Sequence, residues 1–166
     1  SWQLRTDEGP ASTKVFHRLL FATPDGEIVH YDKRHLFRYA GEHERYAAGR
    51  ERRTIAWRGW RICPLVCYDL RFPVFTRNRY DVERKDDLDY DLMVFVANWP
   101  AVRAYPWRTL LRARAIENLC YVAAVNRVGA DGHGLDYAGD SSIIDFPGHP
   151  ASECGAGEGV SPTTLP

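Results

Sequence analysis

Ile62-Cys63-Pro64-Leu65-Val66-Cys67-Tyr68-Asp69-Leu70-Arg71-Phe72-Pro73 is the stretch on which the fold of this chain turns. Its opening residues form a short apolar run between polar neighbours, the pattern of a core strand. Tyr68, Asp69 and Arg71 follow at once and can hydrogen-bond the backbone of a tight corner. A thiol at such a corner faces a pocket, and the next peptide N–H is free to stabilise an oxyanion. The plainer reading is a packed small hydrophobe, since free cysteines are often buried and inert.

Outward from this stretch, strands and helices alternate. Val15–Ala22 and Glu27–Tyr31 flank the turn Pro24-Asp25-Gly26 and predict a β-hairpin. Arg38–Arg50 is polar and irregular and predicts a loop with a short helical turn. Thr54–Trp57 and Trp60–Val66 flank Arg58-Gly59, a second hairpin that delivers Cys67. A helix is expected over Phe72–Arg79, and an exposed charged loop over Tyr80–Asp91. Leu92–Ala97 is unbroken apolar sequence, read as a strand covered on both faces. Pro106–Leu119 spaces Leu110, Leu111, Ala115, Ile116 and Leu119 for burial on a helix. Tyr121–Val128 and Ser141–Phe146 are the last expected strands. Strand, helix and strand in turn give the α/β class. Residues 149–166, rich in Gly, Ser, Thr and Pro, read as a flexible or divergent tail, leaving residues 1–148 as the folded domain.

The 166 residues suit one domain with a real core. Lys plus Arg and Asp plus Glu are both 22, so no net field draws the chain to nucleic acid or a membrane surface. No stretch is apolar enough to span a bilayer. Cys63, Cys67, Cys120 and Cys154 do not suggest a disulfide framework without a secretion signal. No Cys-x-x-Cys spacing occurs and the six histidines are scattered, so neither a metal nor a cofactor is expected. Cys63 and Cys67 would share a face on one strand, which leaves a dithiol pair as a weak alternative.

Cys67-Tyr68-Asp69-Leu70-Arg71-Phe72-Pro73 resembles the nucleophile segment of the nitrilase superfamily of carbon–nitrogen hydrolases. Tyr31-Asp32-Lys33-Arg34-His35-Leu36-Phe37 is similar to its lysine segment, and Gly41-Glu42 with Gly49 to its second-glutamate segment. Phe95-Val96-Ala97-Asn98-Trp99-Pro100, Arg112–Asn118 and Gly139-Asp140-Ser141 continue the resemblance in order, from about Trp2 to Gly148. The branch it most resembles is the bacterial omega-amidase-like proteins.

The resemblance implies a four-layer α-β-β-α sandwich, incomplete here at the N-terminus and also at the C-terminus. An early strand absent from the fold would leave an edge or apolar face open. It also implies a Cys67 nucleophile and a Lys33 that lowers the thiol pKa and stabilises the oxyanion with the Tyr68 N–H. Glu42 would orient Lys33, Asn98 and Trp99 would line the substrate pocket, and Asp69 and Arg71 would brace the corner. Of the acidic residues ahead of Lys33 (Asp7, Glu8, Asp25, Glu27 and Asp32), none has the setting of the family's first glutamate, so no general base is assigned. Arg114, Glu117 and Asn118 are expected to serve helix packing and a dimer contact. The expected activity is hydrolysis of the terminal amide of a small dicarboxylic acid monoamide by a cytoplasmic homodimer. Arg103 or Arg127 would bind the acid end. The alternative is a non-catalytic member of the family lacking its general base.

Overall fold

A computed structural model describes residues 14–81, 83 and 87–166. Asp7 and Glu8, weighed above as the family's first glutamate, lie outside the described residues. The hairpin predicted around Pro24-Asp25-Gly26 forms from β1 (Arg18–Ala22) and β2 (Ile28–Asp32), with Gly26 in the left-handed region at φ 91°. A 3-10 turn (Arg38–Ala40) and α1 (Glu42–Arg45) interrupt the next loop. β3 (Ile55–Trp57) then pairs with β4 (Trp60–Val66), the strand that carries the opening stretch.

β4 lies inside a six-stranded sheet of order β12 (Pro150–Glu153), β11 (Ser142–Ile144), β8 (Tyr121–Asn126), β7 (Leu92–Ala97), β4, β3. Its neighbours β7 and β8 run parallel, joined by the crossover helix α3 (Ala104–Asn118). β11 and β12 add antiparallel at one edge. Proline is rare inside a sheet because it cannot donate to the ladder. Pro64 is tolerated here because β3 pairs with β4 only from Trp60 to Ile62.

The core lies between the sheet and α3. Cys63, Leu65, Met93, Phe95, Val122 and Ala124 point alternately from the central strands toward Trp107, Leu111 and Ala115. Val96 and Val125 alternate onto the other face and are 42% and 60% exposed. The double-sided cover expected for β7 is therefore only partial: its second face is half-buried at Leu92 and Val94 and exposed at Val96.

Other expectations change in extent. The helix after Pro73 is one turn, α2 (Pro73–Thr76). On α3 the buried stripe is Trp107, Leu111, Arg114, Ala115 and Asn118, while Ile116 and Leu119 face outward. Arg114 is drawn in because its guanidinium donates to the Leu70 carbonyl at 2.6 Å and to Glu117 at 2.7 Å. Tyr80–Asp91 is not a plain exposed loop. It holds the short pair β5 (Tyr80–Asp81) and β6 (Asp87–Leu88), and its Tyr90 is fully buried with its hydroxyl donating to Thr76 O. Arg52 holds Asp89, and Arg61 holds Asp91 at 2.6 Å. The tail expected from residue 149 begins with an edge strand, since β12 pairs with β11 and Glu153 meets Arg112 at 2.7 Å. β9 (Val128–Ala130) and β10 (Asp136–Ala138) form a separate antiparallel pair.

Candidate active site

Cys67 is where β4 ends. It begins the 3-10 turn Cys67–Arg71 and has φ 46°, a left-handed conformation costly for a residue with a side chain. The turn is held by Asp69, which is fully buried. Its carboxylate accepts the Val66 N–H (3.0 Å), the Tyr31 hydroxyl (2.8 Å) and the His35 N–H (3.0 Å), and meets His35 Nδ1 at 2.8 Å. One side chain thus ties the corner to the segment that carries Lys33. Burial and the Asp69 charge push the Tyr31 hydroxyl pKa far up, so it stays a donor. Tyr68 is the second residue of the turn, where a backbone N–H has no partner within the turn.

Lys33 is 1% exposed, and its ammonium donates to both Glu42 carboxylate oxygens at 2.9 and 2.7 Å. A buried ammonium is tolerated because it is paired and hydrogen-bonded. Glu42 Oε2 also accepts the Phe37 N–H at 2.7 Å, which fixes the carboxylate from its own loop. Gly49 closes that loop against the lysine segment: its N–H donates to the Lys33 carbonyl at 2.9 Å. A Cβ there would sit 2.1 Å from the Asp32 carbonyl oxygen, so only glycine fits.

Lys33 does not leave the thiol acidic. Burial pushes the Cys67 pKa above its ordinary value and outweighs the Lys33 charge and a backbone hydrogen bond with Asn98, which both pull it down. The expected pull of Lys33 on the thiol is present, set against a larger push from burial. Lys33 offsets a desolvation it does not overcome.

Cys67, Lys33, Glu42, Tyr68, Asn98 and Trp99 all line one cavity of about 750 Å³, a size suited to a small molecule. The sequence reading thus brought together six residues that the fold also brings together. Trp99 is both wall and core: it is 4% exposed, and its ring packs on Trp107 at 5.4 Å. Cys63, in contrast, is fully buried in the core, and burial pushes its thiol up to about 12. Cys67 has left the strand by then, so the two thiols do not form a pair; all four cysteines are free.

Three placements were not read from the sequence. His17 lines the cavity, with Nδ1 3.6 Å from Glu42 Oε1 and its ring 3.6 Å from that of Tyr46. Burial pushes its pKa below the ordinary value, against the pull of Glu42. His17, with Arg18 beside it, interrupts the apolar run Val15–Phe21, and that was the available signal. Asn126 fixes the strand end, accepting the Trp99 N–H at 2.7 Å and donating to the carbonyls of Trp99 (3.1 Å) and Gly139 (2.8 Å). Arg71, expected to brace the corner, instead lines the cavity with its guanidinium 5.1 Å from the Trp99 ring. Among the described residues, no group of three or more His, Cys, Asp or Glu side chains could hold a metal ion.

The sequence profile of the carbon–nitrogen hydrolases matches residues 5–166. The chain belongs to the carbon–nitrogen hydrolase family. The chain is 51% identical over 164 residues to the omega-amidase YafV of Yersinia enterocolitica, covering 95% of this chain and 61% of that protein. A CN-hydrolase superfamily protein from Xanthomonas campestris, solved with an arsenic adduct in its active site, is 68% identical with a TM-score of 0.86, over 88% of this chain and 55% of that one. A mutant of the Nesterenkonia amidase, carrying acrylamide added to its active-site cysteine, is 28% identical with a TM-score of 0.78, over 96% of this chain and 59% of that one. The chain therefore spans just over half the length of these relatives, and its α/β fold is theirs.

Proposed function

We propose that this hydrolase cleaves the terminal amide of a small dicarboxylic acid monoamide to acid and ammonia, through a thioester on Cys67. The observation that supports this most is the meeting, on one cavity wall, of a cysteine at a left-handed corner with a buried Lys33–Glu42 pair. Cys67 Sγ bonds to the amide carbon, and the oxygen takes the charge beside the Lys33 ammonium and the Tyr68 N–H. The carbon–nitrogen bond then breaks and ammonia leaves with the proton of the thiol. Water attacks the thioester carbon, the carbon–sulfur bond breaks, the acid leaves, and the thiol regains a proton. Glu42 holds Lys33 in register for both steps, while Asn98 and Trp99 form the substrate wall. No residue is assigned as the base, since Glu42 spends both oxygens on Lys33.

The omega-amidase relative supports the substrate class. A homodimer and a cytoplasmic location belong to the same reading. In support of pairing, α3 leaves Tyr105, Ile116 and, just past its end, Leu119 exposed. No helix among the described residues is long and apolar enough to cross a membrane.

The test is ammonia release from 2-oxoglutaramate and succinamate by the purified chain, with Cys67→Ala as control. Release that depends on Cys67 is expected. A folded chain with a reactive Cys67 but no release would favour the non-catalytic alternative.

A further inference from the structure

The charges on the cavity wall do not balance. Lys33 and Glu42 neutralise each other, which leaves the guanidinium groups of Arg71 and Arg103. Arg18, Arg52, Arg61 and Arg114 each hold a carboxylate. Arg71 and Arg103 have no carboxylate partner among the described residues; each lies against an aromatic face instead, Arg71 on Trp99 and Arg103 on Phe37.

Of the two, Arg103 is the better placed. It is half-buried where Arg71 is exposed, so an anion meeting it is screened less by solvent. Its guanidinium carbon lies 5.4 Å from the Phe37 ring, and the Phe37 N–H is the group that anchors Glu42. Its carbonyl accepts the Trp99 indole N–H at 2.8 Å, and Asn126 in turn holds the Trp99 backbone. The cation is therefore set on the same frame that sets the catalytic pair, with its planar donor fork free for an anion. Arg127, the other candidate from the sequence, is not on the cavity wall. It donates to the Ala130 carbonyl at 3.1 Å and stacks on Tyr137 at 5.1 Å.

We infer that Arg103 is the specificity-determining residue of this cavity, binding the carboxylate at the far end of an omega-amide substrate while Cys67 attacks the amide. This rests on the amidase reading above. A stacked guanidinium accepts a carboxylate through two parallel N–H donors, and a neutral amide of the same length leaves those donors unfilled. Selection is thus for the anion and not for chain length alone.

The experiment measures kcat/KM for succinamate and for butyramide, its neutral counterpart, in the wild type, Arg103→Gln and Arg103→Lys. The wild type is expected to prefer succinamate. Arg103→Gln should lower the succinamate-to-butyramide ratio by roughly 10- to 100-fold, mostly through KM. Arg103→Lys, which keeps the charge without the fork, should fall between. A ratio that stays within about threefold in both variants overturns the assignment.

A second readout needs no turnover: the rate at which Cys67 is alkylated by iodoacetate relative to iodoacetamide, with Cys67→Ala to subtract the other thiols. The anionic reagent should lose its relative advantage in Arg103→Gln. If neither amide is hydrolysed but this ratio falls, the amidase reading fails and Arg103 stands. If turnover depends on Cys67 but neither ratio moves, the amidase reading stands and Arg103 fails.

Discussion

The body of β4 and its exit carry one thiol each, four residues apart, in opposite situations. Cys63 sits mid-strand with core on its side of the sheet, and the Arg52 charge does not overcome the burial that pushes its thiol up to about 12. Cys67 is also pushed up by burial, but Lys33 opposes the shift, the backbone turns left-handed, and a cavity opens beside the sulfur. The difference is not in sequence spacing or side-chain type. It is set by where the backbone leaves the sheet and by what Asp69 ties to that point. A reactive cysteine is in this sense a property of a strand end, and the predictions below are ways to break that contrast.

The largest effect is expected from exchanging the thiols themselves. Cys67→Ala should reduce amide turnover by roughly 10⁴-fold or more. Cys63→Ala should keep turnover and instead cost about 1–2 kcal/mol of stability in urea unfolding, as a small core deletion does. Comparable losses of turnover in both would dissolve the contrast and revive the dithiol reading.

Next in size is the charge that distinguishes the two thiols. Lys33→Met keeps the stem but removes the ammonium, leaving Glu42 without its cation. We expect kcat to fall about 10²- to 10³-fold, with the thioester-forming step slowed. A change confined to KM would place Lys33 in binding rather than in oxyanion stabilisation.

Asp69→Asn attacks the tie between corner and lysine segment. The carboxylate accepts from Val66, Tyr31 and His35 in a fully buried position. Replacing one oxygen with an amide donor should cost about 3 kcal/mol of stability. An unfolding midpoint matching the wild type would mean that the corner holds itself.

The smallest effect is a pH dependence. Burial keeps folded His17 below its unfolded value of about 6.5, so the unfolded chain binds that proton first as pH falls. His17 therefore costs stability below about pH 6.5, increasingly down to its folded pKa, and the charged groups facing it are Glu42 and Lys33. In His17→Gln the acid-side loss of stability, followed by urea midpoints from pH 7 to pH 5, should be shallower. An identical slope would remove His17 from the balance around Glu42.

What could be read from the sequence was what local pattern encodes. The Pro24-Asp25-Gly26 hairpin, β4 and the corner after it, the α3 crossover and the six cavity residues all follow from runs, turn residues and motif order. What escaped depends on partners distant in the chain. Tyr80–Asp91 looked like solvated charge because nothing local reveals that Arg52 and Arg61 hold Asp89 and Asp91. The apolar run Leu92–Ala97 could not say that Val96 faces out, since two-sided cover depends on a second layer. Gly, Ser and Thr after Gly148 hid β12, whose pairing rests on β11 beside it. Arg71 sits in the corner motif by sequence and on the cavity wall by its long side chain.

The measurement that bears most directly on the account is peptide-resolved alkylation of the native protein by iodoacetamide, followed at each cysteine from pH 7 to pH 10. Cys67 should react at least about 100-fold faster than Cys63 and Cys120, both pushed up to about 12 and buried in the core. Its rate should still be climbing at the upper end of the range, as a raised thiol pKa requires. Equal rates at Cys67 and Cys63 across the series would contradict the claim that the end of β4 makes a nucleophile.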